Sequence, residues 1–126
     1  MEFQSHLGKI RGLGSTNDGL THWKMQRISG VALVPLFVWF MVSLFALDSL
    51  ELHSFKAWLT SNANPVLLIL LVTFMFHHGF LGLQVIFEDY IQDEKLKLTL
   101  IILTKLTVIF FGTYSIFAVM LLTFGM

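Results

Sequence analysis

Hydrophobic and polar positions fall into long blocks along this chain, without the short alternation of a half-buried strand or the narrow stripe of a surface helix. Residues 28–47 contain no Asp, Glu, Lys, Arg or His. A helix over such a run, rising ~1.5 Å per residue, crosses a hydrocarbon core of roughly 30 Å. A second block runs from Pro65 to Phe87, interrupted by His77, His78 and Gln84, and a third from Leu98 to Phe124, interrupted by Lys105. The pattern predicts an all-α membrane protein with transmembrane helices over about 27–48, 65–88 and 98–124. Together they form a membrane domain 27–126 behind a polar N-terminal segment 1–26.

Local signals refine the boundaries. Trp23 precedes the first span and Trp58 the second, where amphipathic rings settle at the level of lipid headgroups. Asn64 followed by Pro65 predicts an N-cap and a proline in the first helical position. Pro35 lies inside the first span, where its missing N–H and its ring predict a kink. The connection from Asp48 to Asn64 accommodates a short amphipathic helix over Leu50 to Leu59.

Composition agrees: of 126 residues, 56% are hydrophobic and 13% charged, and the mean hydropathy is +0.77. The net charge of zero hides an asymmetry. Lys9, Arg11, Lys24 and Arg27 precede the first span and Lys95 and Lys97 separate the second from the third, whereas Lys56 stands alone on the opposite side. The excess of basic residues predicts a cytoplasmic N-terminus. The polar N-terminal stretch has neither the apolar core of a secretory signal nor a transit-peptide composition, which favours a bacterial inner membrane over a mitochondrial one. No nucleic-acid partner is expected. Cysteine is absent, which excludes disulfides, thiolate metal sites and cysteine nucleophiles.

The chemistry concentrates at the second span, FHHGFLGLQVIFEDYIQDEK. His78 and Asp89 are eleven residues apart, which returns them to within about 20° of one helix face and separates them by roughly 16 Å. Gly82 lies one turn from His78 on that face, where a flat ligand can approach the backbone. A mid-membrane imidazole is either a hydrogen bond between helices or a metal ligand. Without Cys or an intramembrane carboxylate, the metal reading reduces to a haem iron whose other ligand comes from another chain. His77 points about 100° away and cannot serve the same iron. Its simplest role is a contact to a partner, water or a haem propionate.

Glu88, Asp89 and Tyr90 close the span, either as a solvated helix end or as a site where Tyr90 donates to a quinone carbonyl beside Asp89 as orienting group or proton relay. Arg27, with a planar donor fork, suits a haem propionate or a carboxylate such as Asp89. Lys24 is assigned to the charge asymmetry, and Lys105 to snorkelling or an interhelical contact. Gly30, Gly82 and Gly112 are candidate points of close helix approach.

The string from His78 through Gly82 to Glu88-Asp89-Tyr90, with GLGSTNDGLTHWKMQR upstream, resembles the small hydrophobic membrane-anchor subunit of succinate dehydrogenase. The likeness covers roughly residues 11 to 97; the third span matches only as a hydrophobic helix. The resemblance implies that the three helices are half of a larger heterodimeric anchor bundle. It also implies that His78 is one axial ligand of haem b, shared with the larger cytochrome b anchor subunit. Tyr90 then stands at the ubiquinone-contacting tyrosine, Asp89 at the acid beside it, and Arg27 at an arginine near the propionates and quinone pocket. A flavoprotein and an iron-sulfur subunit are the implied soluble partners, carrying electrons from succinate to ubiquinone. The chain has no Gly-rich flavin-binding turn and no cluster cysteines, so dicarboxylate chemistry belongs to those partners. Other readings are a fumarate reductase-type anchor, a haem-free anchor and a structural assembly protein.

Overall fold

The computed structural model describes residues 16–125, with side chains from residue 19 onward. Residues 1–15 of the expected N-terminal segment, with Lys9 and Arg11, lie outside the described residues. Four helices follow in order: α1 (Thr16–Phe45), α2 (Leu52–Leu59), α3 (Asn64–Tyr90) and α4 (Glu94–Phe124). Three of them, α1, α3 and α4, are long and apolar enough to cross a membrane, and the chain is an all-α membrane protein.

The helices run past the apolar blocks because a helix that leaves the hydrocarbon can continue into the interface, where its free backbone groups meet water or caps. α1 starts at Thr16, well before residue 27, so Trp23, Lys24 and Gln26 are helical. α4 starts at Glu94, before residue 98, because Asp93 caps it: its carboxylate accepts a hydrogen bond from Lys95 N at 3.1 Å. Lys97 then pairs with Glu94 at 2.9 Å within the first turn. Gly125, at φ 70°, ends α4 in the left-handed conformation that a residue without Cβ adopts freely. Pro35 sits within α1 without ending it.

Asn64 is not the cap its sequence context predicts. It is the first residue of α3, Ala63 occupies the cap without a side-chain bond, and Pro65 stands in the first turn as expected. The Asn64 side-chain amide instead donates to the Trp58 carbonyl at 2.7 Å, which also accepts from Ser61 N at 3.2 Å where α2 ends. α2 begins two residues later than predicted, at Leu52.

α3 lies between α1 and α4, whose backbones do not approach each other among the described residues; α2 packs across one end, against α3 and α4 and, through Trp58, against Trp39 and Phe40 of α1. That end holds the core. Leu59, Leu68, Leu71 and Val119 are buried there, and Trp58 stacks on Trp39 at 5.7 Å, with Phe40 and Phe55 tilted against it. Elsewhere large apolar side chains face outward: Val31 is 72% exposed and Phe110 64%. A row of three apolar helices is satisfied only by lipid or further helices on its two open faces.

Candidate functional site

Ser29 is the buried polar residue among those described, 1% exposed in an otherwise apolar stretch of α1. Its hydroxyl donates to the Gln26 carbonyl, three residues back, at 2.9 Å. His78 of α3 reaches the same spot: Nδ1 is 3.0 Å from Ser29 Oγ and 3.2 Å from Gln26 O. A carbonyl only accepts and the hydroxyl proton is already committed, so Nδ1 carries the proton and donates to both oxygens. Nε2 is therefore the unprotonated nitrogen, with its lone pair in the ring plane, and it has no hydrogen-bond partner among the described residues. Histidines that bind metals have this arrangement, in which one nitrogen is anchored to a carbonyl and the other is left basic.

The ring fits because α1 has no side chain where it crosses. A Cβ built on Gly30 would lie 3.2 Å from His78 Cε1 and 3.7 Å from Nδ1, closer than ordinary carbon contacts. The expectation of close approach therefore holds at Gly30. No helix of this chain approaches Gly82: a Cβ there meets nothing within 4 Å, and neither does one at Gly79. These glycines leave open space beside His78 along α3. At Gly112 the neighbour is the Phe76 ring, at an ordinary 3.8 Å.

His78 and Arg27 line one cavity of about 370 Å³, completed by Trp23, Gln26, Gly30, Val31 and Val34. The guanidinium of Arg27 lies over the Trp23 ring, 5.5 Å from its centroid, a cation–π contact between two residues that line the cavity. The structure thus brings together His78 and Arg27, two residues distant in sequence, and adds Ser29 and Gln26. Those two escaped the sequence analysis, although a Ser-Gly pair at the start of an uncharged span was a visible signal.

Asp89 and Tyr90 are not brought into this cavity. Both are exposed at the end of α3, Tyr90 at 81%, and Asp89 forms no ion pair with Arg27; the ion pair found among the described residues is Lys97–Glu94. Gln84 donates to Glu88 at 3.0 Å on the same helix end. His77 faces away from the His78 cavity, towards α4. No group of three or more His, Cys, Asp or Glu side chains suited to a metal ion occurs among the described residues. A metal here would draw one ligand, His78, from this chain.

The fold and cavity define a small three-span membrane protein with one imidazole anchored between two of its helices. The chain matches the family of succinate dehydrogenase/fumarate reductase transmembrane subunits over residues 1–124. It is 32% identical over 105 residues to the succinate dehydrogenase hydrophobic membrane anchor subunit of Rickettsia typhi, covering 83% of this chain and 84% of that one. It is 33% identical over 105 residues to the protein of the same name from Rickettsia bellii, with the same coverage. The chain belongs to this family, as a succinate dehydrogenase membrane anchor subunit. No solved structure matches it.

Proposed function

We propose that this anchor subunit holds haem b through His78 and contributes Tyr90, Asp89 and Arg27 to a ubiquinone site, in a bacterial inner membrane with its N-terminus cytoplasmic. The observation that carries the haem reading is the double hydrogen bond of His78 Nδ1 to Ser29 and Gln26, which leaves Nε2 as the ligating nitrogen. Arg27 on the same cavity supplies a donor fork for a propionate. The open backbone at Gly79 and Gly82 suits a flat group beside the imidazole. Haem, when bound, supplies a one-electron couple inside the low-dielectric membrane.

The residues of this chain have separate tasks. His78 would hold the haem iron through Nε2, and its tautomer and ring plane are set by α1. The second ligand comes from a larger cytochrome b subunit, consistent with the open faces of the three-helix row. Tyr90, at the polar end of α3, offers its hydroxyl to a quinone carbonyl. Asp89 beside it has an open path to water, through which the two protons consumed on reduction to quinol can pass. The exposure of both side chains in this chain alone accords with a site closed by partner subunits. The flavoprotein and iron-sulfur subunits perform succinate oxidation and deliver the electrons.

The test is a dithionite-reduced minus oxidised optical spectrum of the complex purified through this chain, comparing wild type with His78→Ala. A b-type signal lost or shifted in the variant is expected. A wild-type complex without haem overturns the haem assignment. In parallel, Tyr90→Phe is expected to lower quinone reduction while leaving the spectrum and succinate oxidation by an artificial acceptor unchanged; wild-type quinone kinetics would sink the role of Tyr90.

A further inference from the structure

The opposite side of α3 carries a second cleft that the haem and quinone readings do not use. His77, Phe76 and Thr73 of α3 face Lys105, Ile109 and Gly112 of α4 across a cavity of about 410 Å³. His77 Nε2 is buried and has no hydrogen-bond partner among the described residues. Lys105 has no acidic partner there either, since the ion pair found is Lys97–Glu94. Two polar nitrogens thus line one cavity whose other polar groups are the neutral hydroxyls of Thr73 and Thr113, with no carboxylate to balance the ammonium, a costly arrangement inside a membrane unless something supplies one.

Depth narrows what that something is. His77 is the central residue of α3 (Asn64–Tyr90), roughly 20 Å from either end at ~1.5 Å per residue. Lys105 is seven residues beyond Leu98, where the apolar block of α4 begins, roughly 10 Å along the axis, still farther than its four-carbon stem spans towards the polar end. The cleft is therefore at mid-membrane, below the level of lipid phosphates, and the counter-charge has to arrive within the plane. A second copy of this chain cannot bring it, because residues 28–47, 65–87 and 98–124 contain no Asp or Glu. Gly112 lines the same cleft, where the Phe76 ring of α3 lies 3.8 Å from the position its Cβ would take.

We propose that the His77–Lys105 cleft is the docking site for a transmembrane helix of a different subunit, which presents an Asp or Glu carboxylate to the Lys105 ammonium and the His77 imidazole. Charge complementarity selects the acid, and mid-membrane depth selects a helix. The site is independent of the haem assignment, since it lies on the other side of α3 from His78 and its test reads a covalent contact.

The experiment treats the whole purified complex with dicyclohexylcarbodiimide, an apolar reagent that condenses a carboxylate with an amine touching it, and identifies cross-linked peptides by mass spectrometry. The expected product joins Lys105 to an Asp or Glu within a transmembrane helix of another subunit, and disappears when that acid is replaced by its amide. Lys105→Met is expected to lower recovery of that subunit with this chain by roughly tenfold or more, because its acid is left unpaired; Lys105→Arg restores it. If Lys105→Met prevents accumulation of the chain, the cross-link in the unsubstituted complex decides. A Lys105 recovered uncoupled, coupled to Glu94 of its own helix or coupled to a co-purified acidic lipid overturns the proposal, as does a Lys105→Met complex of wild-type composition.

Discussion

Gly30 is where the anchoring of His78 is most sharply testable. Replacing it with Ala adds a Cβ 3.2 Å from His78 Cε1, so the ring must withdraw by a few tenths of an ångström to reach ordinary contact at ~3.5 Å or beyond. Both acceptors of Nδ1 are on α1 with Gly30, and any withdrawal from α1 stretches both bonds. The contact to Gln26 O, already 3.2 Å, is lost first, and the 3.0 Å bond to Ser29 survives weakened. Losing one such bond costs about 0.5–1.5 kcal/mol, while Gly→Ala in a helix interior returns about 0.5–1 kcal/mol. The two nearly cancel, so the complex with Gly30→Ala should melt within a few degrees of wild type. If His78 ligates haem as proposed, the haem should nevertheless change, because that ring has moved. The assay is haem content, reduced-minus-oxidised spectrum and midpoint potential, read beside the melting curve. Gly30→Leu, which the crossing cannot accommodate, should lose haem and cost about 1–3 kcal/mol from overpacking. A Gly30→Leu complex with wild-type haem content and potential would refute the reasoning, because the imidazole would then not depend on this crossing.

The other predictions separate positioning from packing. Ser29→Ala removes one of two acceptors and leaves Gln26 O, so haem should be retained with an affinity lowered by about 10–100-fold, measured by haem loss to an external acceptor; unchanged retention excludes a role for the hydroxyl. Arg27→Lys keeps the charge and loses the planar fork, so the haem environment should shift in the spectrum while the haem remains; a spectrum identical to wild type argues that Arg27 serves only to stack on Trp23. Trp58→Ala removes the ring that joins Trp39, Phe40 and Phe55, a loss of about 3–5 kcal/mol that should lower the melting temperature of the complex with its haem spectrum unaltered. A melting curve like that of wild type would show that α2 does not hold that end together.

Much of the fold was legible because the membrane imposes it. A solvent that bonds no backbone group forces each spanning segment into a helix and requires about twenty uncharged residues; three such blocks, with the Trp58 and Pro65 signals, determined the number and order of the spans. The chemistry of the second span was equally visible, since His77, His78 and Lys105 stand out against an apolar background. The helix ends were not, because side-chain capping by Asp93 and continuation of α1 into the interface depend on local bonds that hydropathy does not record. Asn64 shows the same thing: its composition fits a cap, but its amide is taken by the Trp58 carbonyl across a turn.

Only the tertiary structure decided how the helices are ordered, with α3 between α1 and α4, and hence that His77 and His78, adjacent in sequence, serve opposite clefts. Periodicity states that two neighbouring residues point about 100° apart; it cannot state what lies in either direction. The crossing of α1 over α3 at Gly30 converted one of them into an anchored imidazole by bringing Ser29 and Gln26 to its Nδ1. Those contacts join residues about fifty positions apart, and packing between helices, which no local pattern encodes, sets both the partner and the tautomer.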